Sequence, residues 1–342
     1  MQEINLAFLG YGNVGQALSR LLLEKQEELK REYGITWKVV GIATANHGIT
    51  IAPKGLDLTK ALHTIETGGN LSTLSTLSVA SNSFGFIRAC GADVLFENSP
   101  VDYESGQPAI DHIKLALEMG MHAITANKGP VVHAYQSLKE LAQSKDRAFH
   151  FESVVMDGAP VFSMWREALP GANLISFKGV LNSTTNLILT LMEEGKTFEE
   201  SVTYAQEIGI AETDPSGDID GWDAAIKVAA LVTVLMGIPL KPHQVNRKGI
   251  RDITRDVIQK NLEVGRRWKL ICEAHREGNQ VRASVQPQVI DSRDPLYYVM
   301  GTSSAVTFQS DVLGALTLTE EDPGTHTTAY GLLADFINVV RK

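Results

Sequence analysis

The sequence predicts an α/β protein whose first half forms a doubly wound parallel sheet. Short apolar runs alternate there with segments of helical periodicity. These runs are apolar along their whole length, which is typical of parallel strands covered by helices on both faces. The rhythm changes after residue 150, and 342 residues exceed the ~250–300 that a single core usually serves. We therefore expect a second domain, of α+β type.

The predicted elements of the first half alternate between strand and helix. Strands are expected at Ile4–Leu9, Trp37–Ala43, Ala92–Glu97, His122–Ala126 and Phe149–Val155. Helices are expected at Val14–Arg31, Pro108–Met119 and near His133–Ser144. The segment from Thr59 to Asn82 is rich in Thr, Ser and Gly, and we interpret it as a surface excursion with one short helix.

The second half combines helices with a β-rich stretch. A strand is predicted at Leu174–Leu181, and helices are predicted at Thr184–Glu194, Thr197–Ile208 and Ile219–Met236. The β-rich stretch runs from Trp268 to about Leu318 and includes a hairpin around Gly278-Asn279. A last helix, Thr325–Val340, is expected to pack on the first domain. The expected domains are residues 1–150 completed by about 318–342, and residues 151–317.

The bulk composition excludes several classes of protein. A formal net charge of -9 argues against a non-specific nucleic-acid binder, which usually presents a basic stripe. No run of ~18 apolar residues is present to span a bilayer. The N-terminus lacks the basic start and long apolar core of a signal peptide. Cys90 and Cys272 lie far apart and match no metal or disulfide pattern, so we expect free thiols in a cytoplasmic protein.

A glycine-rich segment, GYGNVG at residues 10–15, matches GxGxxG between a predicted strand and a predicted helix. Gly10 allows the tight turn, Gly12 lets the backbone approach a pyrophosphate, and Gly15 lets the helix lie close to the sheet. The helix N-terminus adds free N–H groups and positive potential. The segment therefore predicts a Rossmann-type dinucleotide site.

The end of the second strand normally selects between NAD and NADP. An acidic residue there would bind the ribose 2′-OH of NAD and repel the phosphate of NADP. This chain has neither a carboxylate nor an arginine at that point, but Thr44, Asn46 and His47. Thr44 and Asn46 suit either ribose, and His47 suits a phosphate. The segment favours NADP over NAD without excluding NAD.

Three segments place polar side chains in otherwise apolar surroundings. Lys128 follows a predicted strand, at the sheet edge where ligands bind. An acidic loop, residues 212–220, leads into a helix on which Asp223 and Lys227 are four residues apart and share a face. A solvated lysine and helix-capping acids would explain the first two segments equally well. The third segment, the helix that carries Asp223 and Lys227, is apolar nearly all round, so its lysine–carboxylate pair is a candidate acid/base group.

The segments GYGNVG, ANKGP, GVLNSTTNLIL and AETDPSGDIDGWDAAIK, taken together, resemble homoserine dehydrogenases. The resemblance runs from about residue 4 to residue 240, and its last two segments are the specific ones. It implies reversible NAD(P)H-dependent reduction of L-aspartate 4-semialdehyde to L-homoserine, a step of threonine and methionine biosynthesis. It also implies a homodimer, in which the β-rich stretch would pair across a two-fold axis.

The resemblance also implies roles for individual residues. Lys227 would be the proton donor and acceptor, and Lys128 a second lysine near the substrate and the nicotinamide. The residues expected to bind substrate are Glu212, Asp218, Asp223 and the helix start at Thr184. Those expected to bind cofactor are Gly10, Gly12, Asn13, Val14, Gly15, Thr44, Ser99 and Lys128. Glu152 and Val155 match the segment that holds a structural sodium ion in the family.

The chain departs from the family pattern at several positions. Ser183 replaces the glycine of LNGTTN, and Asp157-Gly158 replaces Gly-Gly after the sodium segment. Asn98-Ser99-Pro100 replaces the usual turn after the third predicted strand. Many relatives carry a C-terminal regulatory domain, which we do not expect after Lys342, nor the feedback inhibition that it mediates.

Three other functions are alternatives, and each would need a feature that the sequence does not match. Another semialdehyde dehydrogenase would need an activated cysteine, and neither Cys90 nor Cys272 has an obvious histidine partner. A non-catalytic dinucleotide sensor would be expected to lose the lysine and carboxylates, which are present. A metal site formed by His112, His122, His133 and His150 would need a familiar ligand spacing, which these residues lack.

Overall fold

The computed structural model describes residues 3–77 and 82–341. The chain divides into two compact units, the first formed by Met1–Pro160 and Gly324–Lys342 and the second by Val161–Pro323. Within the described ranges, no helix is long and apolar enough to cross a membrane.

The first unit is built on a six-stranded sheet. Its strands are β1 (Glu3–Leu9), β2 (Thr36–Ala43), β3 (Ile49–Ile51), β4 (Val94–Glu97), β5 (His122–Thr125) and β6 (Phe149–His150). Their order is β3-β2-β1-β4-β5-β6, and every pair is parallel except β2 with β3. The doubly wound α/β prediction is confirmed. In such a sheet, ligands bind at the carboxyl ends of the strands where the order reverses, here between β1 and β4.

Helices cover this sheet and complete its core. They are α1 (Asn13–Glu24), α2 (Gln26–Tyr33), α3 (Leu58–Glu66), α4 (Ser83–Ala89), α5 (Ala109–Glu118), α6 (Lys128–Ser144) and the C-terminal helix (Thr325–Val340). The C-terminal helix places Phe336 in the same buried cluster as Phe8 and Phe96. The Phe8 and Phe96 rings stack at 5.2 Å between centroids, and Phe336 meets Phe96 edge-on at 6.2 Å. Burial of each ring stabilises the fold by about 1.5–3 kcal/mol.

The segment from Thr59 to Asn82 contains the predicted short helix, α3, and adds a 3₁₀ turn at Leu71–Leu74. Ala61, Leu62 and Leu71 are buried and anchor the segment, whereas its other described residues are half-buried or exposed, as predicted for a surface excursion. Residues 78–81 of that segment lie outside the described chain. The short antiparallel strand β3 and helix α4 carried too little periodicity to be predicted.

The predicted strand Phe149–Val155 is shorter than expected, since β6 ends at His150. The chain then turns into a 3₁₀ helix at Glu152–Val154. Two hydrogen bonds to the C-terminal helix hold it there: the Glu152 N–H donates to Asp335 Oδ2 at 2.7 Å, and Ser153 Oγ donates to the Thr328 carbonyl at 2.7 Å. These partners lie far away in sequence, so local propensity could not reveal the turn.

The second unit contains the other six-stranded sheet. Its strands are β7 (Leu174–Val180), β8 (Asn246–Arg247), β9 (Arg266–Glu277), β10 (Gln280–Asp291), β11 (Ser304–Ser310) and β12 (Ala315–Glu320), in the order β12-β11-β7-β9-β10-β8. Its helices are α7 (Val161–Ser163), α8 (Ser183–Glu193), α9 (Phe198–Glu207), α10 (Ser216–Ile219), α11 (Trp222–Leu231) and α12 (Arg255–Leu262). The hairpin predicted at Gly278-Asn279 is confirmed, because these two residues link β9 to β10.

The predicted helix Ile219–Met236 is interrupted near its start. Gly221 has φ +79°, in the left-handed region that favours glycine, and it separates α10 from α11. After Leu231 the helix widens into a π-helical turn at Val232–Met236. The break gives α11 its own N-terminus, with Gly221 as N-cap two residues before Asp223, which places that carboxylate in the first turn.

Candidate active site

The glycine loop leaves the N-terminus of α1 open. Gly10 has φ +91°, and a side chain there would overlap the Asn98 carbonyl oxygen on the neighbouring strand. Gly12 is the N-cap of α1 without a side-chain cap, and a Cβ on it would meet nothing within 4 Å. Gly15 is buried, and a Cβ there would lie 3.0 Å from the Gly10 carbonyl oxygen. The exposed Asn13 and half-buried Val14 begin the helix beside this opening.

The side-chain amide of Asn98, at the carboxyl end of β4, has both polar atoms buried. Neither Nδ2 nor Oδ1 has a hydrogen-bond partner within the described part of the chain. A buried amide left without a partner costs about 1–3 kcal/mol. An unsatisfied amide beside an open helix N-terminus fits a ligand with both donors and acceptors, and so the residues present fit a dinucleotide cofactor.

The segment that follows β2 is folded into a tight turn around Thr44. Its hydroxyl accepts the His47 N–H at 2.8 Å and donates to the Gly48 carbonyl at 3.0 Å. His47 Nδ1 lies 3.0 Å from the Gly69 carbonyl, which can only accept, so Nδ1 carries a proton. Asn46 is exposed at the tip of the turn. The structure thus places no carboxylate at this point of the turn.

Lys128 is the first residue of α6, and two residues separate it from the end of β5. The preceding Asn127 caps the helix by accepting the Gly129 N–H at 2.9 Å. Asn127 also donates its amide to the Ser99 carbonyl at 3.0 Å. Ser99 and Lys128, two of the residues predicted to bind cofactor, are therefore linked through one intervening side chain in the first unit.

The second unit holds the lysine–carboxylate pair predicted from the sequence. Lys227 Nζ lies 2.9 Å from Asp223 Oδ2 and donates to the Leu181 carbonyl at 2.8 Å. The side chains of Lys227 and Asp223 are 15% and 13% exposed, so the pair is shielded from bulk water while staying reachable. Partners on two elements, α11 and the end of β7, fix the position of the ammonium group.

Asn182, which was not among the residues predicted from the sequence, contacts the carboxylates of both Asp218 and Asp223. Its Nδ2 donates to Asp218 Oδ1 at 2.6 Å and to Asp223 Oδ2 at 3.0 Å. Its Oδ1 accepts the Thr185 N–H at 2.8 Å and thereby caps α8. Burial and the neighbouring Asp223 raise the pKa of the Asp218 carboxyl. The signal that could have identified Asn182 was its position as an N-cap residue inside the specific LNSTTN segment.

The two remaining predicted substrate residues have different surroundings. Thr184 is buried in the first turn of α8, and its hydroxyl donates to the Ile210 carbonyl at 3.3 Å. Glu212 is exposed, and only its backbone carbonyl is engaged, by the Gln206 amide at 3.1 Å. The structure therefore brings Asp218, Asp223 and Lys227 together around Asn182, and does not show the Glu212 side chain in contact with them among the described residues.

Comparison with known proteins identifies the family of this chain. A sequence model described as homoserine dehydrogenase matches residues 160–337, and one described as the NAD binding domain of homoserine dehydrogenase matches residues 10–152. The chain belongs to the homoserine dehydrogenase family. The resemblance noted in the sequence is thus confirmed.

Individual relatives of this family align along nearly the whole chain. An NAD(+)-dependent homoserine dehydrogenase of Pseudomonas canavaninivorans is 36% identical over 99% of this chain and 97% of its own length. A homoserine dehydrogenase of Methanocaldococcus jannaschii is 34% identical over 98% of each chain. A solved hyperthermophilic archaeal homoserine dehydrogenase in complex with NADPH has a TM-score of 0.83 and 30% identity, covering 99% of this chain and 98% of that one.

The departures from the homoserine dehydrogenase pattern have simple structural settings. Ser183 is the first residue of α8, directly after the Asn182 cap, where a serine is well tolerated. Asp157 has φ +38° and accepts the Thr327 hydroxyl at 3.1 Å. A side chain on Gly158 would meet the Thr327 carbonyl oxygen at 2.5 Å, so this glycine allows the C-terminal helix to approach.

The metal-site and thiol alternatives find no support in the described chain. No group of three or more His, Cys, Asp or Glu that could hold a metal ion occurs among residues 3–77 and 82–341. Burial raises the pKa of the Cys90 thiol and raises that of Cys272 to about 12. Since the thiolate is the nucleophile, neither cysteine is suited to form a thioester. The cysteine-dependent alternative is therefore not favoured.

Proposed function

We propose that this chain catalyses the reversible NAD(P)H-dependent reduction of L-aspartate 4-semialdehyde to L-homoserine, with Lys227 as the proton donor and acceptor. The observation that carries the assignment of Lys227 is its position, with Nζ 2.9 Å from Asp223 Oδ2 and 2.8 Å from the Leu181 carbonyl oxygen. A lysine held on two sides in the middle of a buried helix presents its charge in a defined direction.

The reduction requires a proton at the oxygen atom as the aldehyde becomes an alcohol. When bound, the reduced nicotinamide supplies the hydride. Lys227 polarises the carbonyl through its ammonium group and then transfers a proton to the developing alkoxide. Positioned acid catalysis of this kind contributes about 10²–10⁴-fold to the rate. Lys128 adds a second positive charge that stabilises the alkoxide.

The substrate carries both an amino group and a carboxylate, so its site needs both signs of charge. Asp218 and Asp223 supply negative charge for the amino group, held side by side by Asn182. The start of α8 supplies the backbone N–H groups of Ser183 and Thr184 and the positive end of a helix dipole for the carboxylate. Glu212, exposed on the loop before α10, supplies a third carboxylate for the amino group.

The cofactor binds at the opening between β1 and α1, with NADP preferred over NAD. The N–H groups of Asn13 and Val14 face the pyrophosphate, and the Thr44 turn receives the adenosine ribose. The absence of a carboxylate in that turn and the presence of His47 support NADP. The archaeal relative is described with NADPH, whereas the Pseudomonas relative is described as NAD(+)-dependent. The ratio of kcat/KM for the two cofactors tests this preference.

A structural sodium ion would be held by the Glu152 carboxylate and the Val155 carbonyl oxygen. Glu152 is buried, and hard cations take oxygen ligands. Such an ion would stabilise the 3₁₀ turn rather than take part in the reaction. The thermal midpoint measured in sodium chloride and in choline chloride at equal ionic strength should be higher in sodium; equal midpoints would remove the ion from the proposal.

A homodimer is supported by a polar row on the second sheet. Lys178 is the cross-strand neighbour of Glu273 on one side and of Thr307 on the other, so the three side chains share one face. All three are half-buried. Because a two-fold axis brings the same surface of two copies together, a row with both signs of charge can pair its lysine with the glutamate of a second copy. Light scattering coupled to gel filtration should give twice the mass of one chain.

The decisive experiment replaces Lys227 by alanine. Turnover in both directions should fall by two or more orders of magnitude, while NADPH binding, followed by fluorescence, stays near that of the wild type. The matched control is Lys248→Ala, because Lys248 also pairs with an aspartate four residues away, Asp252, but is 55% exposed. Near wild-type turnover in Lys227→Ala would overturn the assignment. No activity in the wild-type protein would favour a dinucleotide sensor.

A further inference from the structure

Glu97, the last residue of β4, is a fully buried carboxylate that the proposed mechanism does not use. Its relative exposure is 0%, and it lies at the carboxyl end of the strand, next to the cofactor opening. Burial of a carboxylate without hydrogen bonds costs several kcal/mol, so such residues are satisfied by nearby donors or are absent. The donors around Glu97 indicate what it does.

Three side chains surround the Glu97 carboxylate. The Ser99 hydroxyl donates to Oε1. His112 Nδ1 lies 3.4 Å from the same oxygen, and the His112 side chain is 3% exposed. The Thr125 hydroxyl donates its one hydrogen to the Glu97 backbone carbonyl at 2.6 Å, and its oxygen lies 3.3 Å from Oε2. Glu97 and Thr125 are direct partners in the β4–β5 register, so the strand pairing itself places them together.

These contacts close into a ring of four residues. Thr125 Oγ1 accepts the Asn127 N–H at 2.9 Å. The Asn127 amide then donates to the Ser99 carbonyl at 3.0 Å, and the Ser99 hydroxyl returns to Glu97. We call Glu97, Ser99, Thr125 and Asn127 the strand-end ring. The ring joins the loop after β4 to the N-terminus of α6, whose first residue is Lys128.

We propose that Glu97 is a positioning residue that fixes the loop at Asn98–Pro100 and Lys128 relative to each other. Asn98 and Ser99 lie against Gly10 of the glycine loop, and Lys128 is the residue proposed to stabilise the alkoxide. Both groups must keep their places when hydride and proton move, and a misplacement of 1 Å costs about 10²-fold in rate. The inference rests on the proposed roles of Lys128 and of the cofactor opening.

Two substitutions weaken the ring with little change of shape. Glu97→Gln removes the negative charge that faces the Ser99 hydroxyl and His112 Nδ1, so both contacts to Oε1 are weakened. Thr125→Val removes the hydroxyl that links Glu97 to Asn127. Each should lower kcat by about 10- to 100-fold and raise the KM for the cofactor by less than that. If both act through one ring, the double variant should be little slower than either single variant.

A matched control is available in the same sheet. Thr50 in β3 is fully buried, and its hydroxyl has no partner among the described residues. Thr50→Val makes the same chemical change as Thr125→Val at a site outside the ring. It should leave kcat near that of the wild type.

The test compares kcat, cofactor KM and the primary isotope effect with 4-deuterated NADPH, all per mole of folded protein. The isotope effect should rise in Glu97→Gln and Thr125→Val, because disturbed positioning makes hydride transfer more rate-limiting. A loss of thermal midpoint with an unchanged isotope effect and kcat would show a purely structural role and overturn the proposal. Lys128→Ala distinguishes failure of the ring proposal from failure of the proposed function. If Lys128→Ala is slower but Glu97→Gln and Thr125→Val are unaffected, only the role of the strand-end ring is refuted. If the wild-type protein is inactive, the proposed function itself is refuted.

Discussion

Asn182 Nδ2 donates a 2.6 Å hydrogen bond to Asp218 Oδ1. The same nitrogen reaches Asp223 at 3.0 Å, so one amide group holds two carboxylates that would otherwise repel each other. The amide oxygen meanwhile caps α8. A single side chain thus sets both the start of a helix and the spacing of the acidic groups proposed to bind the substrate.

Asn182→Ala should therefore weaken substrate binding and destabilise the fold together. Loss of a hydrogen bond to a charged group costs about 1.5–3 kcal/mol, which corresponds to a KM for homoserine about 10- to 100-fold higher. Loss of the N-cap should cost about 1 kcal/mol in the free energy of unfolding. Steady-state kinetics and urea unfolding measure the two effects. An unchanged KM would show that the carboxylates keep their places without the amide.

Asp218→Asn should stabilise the protein at neutral pH while impairing its activity. Because the folded-state pKa of Asp218 is raised above its unfolded value, the folded chain binds the extra proton more readily. Its contribution to stability is present below the unfolded pKa and is lost as the pH rises through the folded pKa. An amide removes that loss. The thermal midpoint of the variant relative to wild type should be higher at pH 7 than at pH 4, and a constant difference would contradict the argument.

The glycine loop provides a pair of substitutions with opposite expected defects. Gly12→Ala should keep the wild-type thermal midpoint, because the added Cβ meets nothing within 4 Å. The methyl group would stand where the pyrophosphate approaches, so the dissociation constant for NADPH should rise by about tenfold or more. Gly10→Ala should instead lower the thermal midpoint, because its φ of +91° and the Asn98 carbonyl exclude a side chain. Equal cofactor affinity in Gly12→Ala and wild type would place the pyrophosphate elsewhere.

Lys269, fully buried in β9, should make the stability of the protein depend on pH in the alkaline range. Burial lowers the pKa of Lys269 to about 8, against a smaller opposing effect of Glu193. Between that value and its ordinary pKa of 10.5 the unfolded chain binds more protons, so stability rises with pH, by about 3 kcal/mol in all. Lys269→Met lacks this titration. In urea unfolding at several pH values from 7.5 to 10.5, the free energy of unfolding of the wild type should rise relative to that of Lys269→Met. If the two free energies depend on pH in the same way, the lowered pKa of Lys269 is refuted.

The sequence was sufficient to predict the sheet of the first unit because its strands are apolar runs and its turns are marked by glycine. It was insufficient where long-range contacts decide the local structure. Glu152 and Ser153 leave the sheet because of partners on the C-terminal helix. The strand β3 has only three residues, Ile49–Ile51, too few for a periodic signal.

The candidate site likewise contains some residues that local sequence patterns reveal and others that only long-range contacts reveal. Lys227 and Asp223 could be selected from the sequence, because their four-residue spacing within an apolar helix is a local signal. Glu97 could not, since a glutamate at the end of a strand is unremarkable until its exposure and its neighbours are known. The roles of Asn182 and Asn127 depend on partners from other strands and helices. Short-range patterns therefore identify charged pairs, whereas the amides that arrange them emerge only from the folded chain.

The C-terminal helix also has a consequence for how the protein is made. Phe336 and its neighbours Ala329, Leu332 and Leu333 complete the core around Phe8 and Phe96, yet in the chain they follow the whole second unit. The first unit thus cannot close until the whole second unit has been synthesised. During that interval the nascent chain exposes an apolar surface that chaperones recognise. Translation order therefore separates the start of the first unit from its completion by the synthesis of the entire second unit.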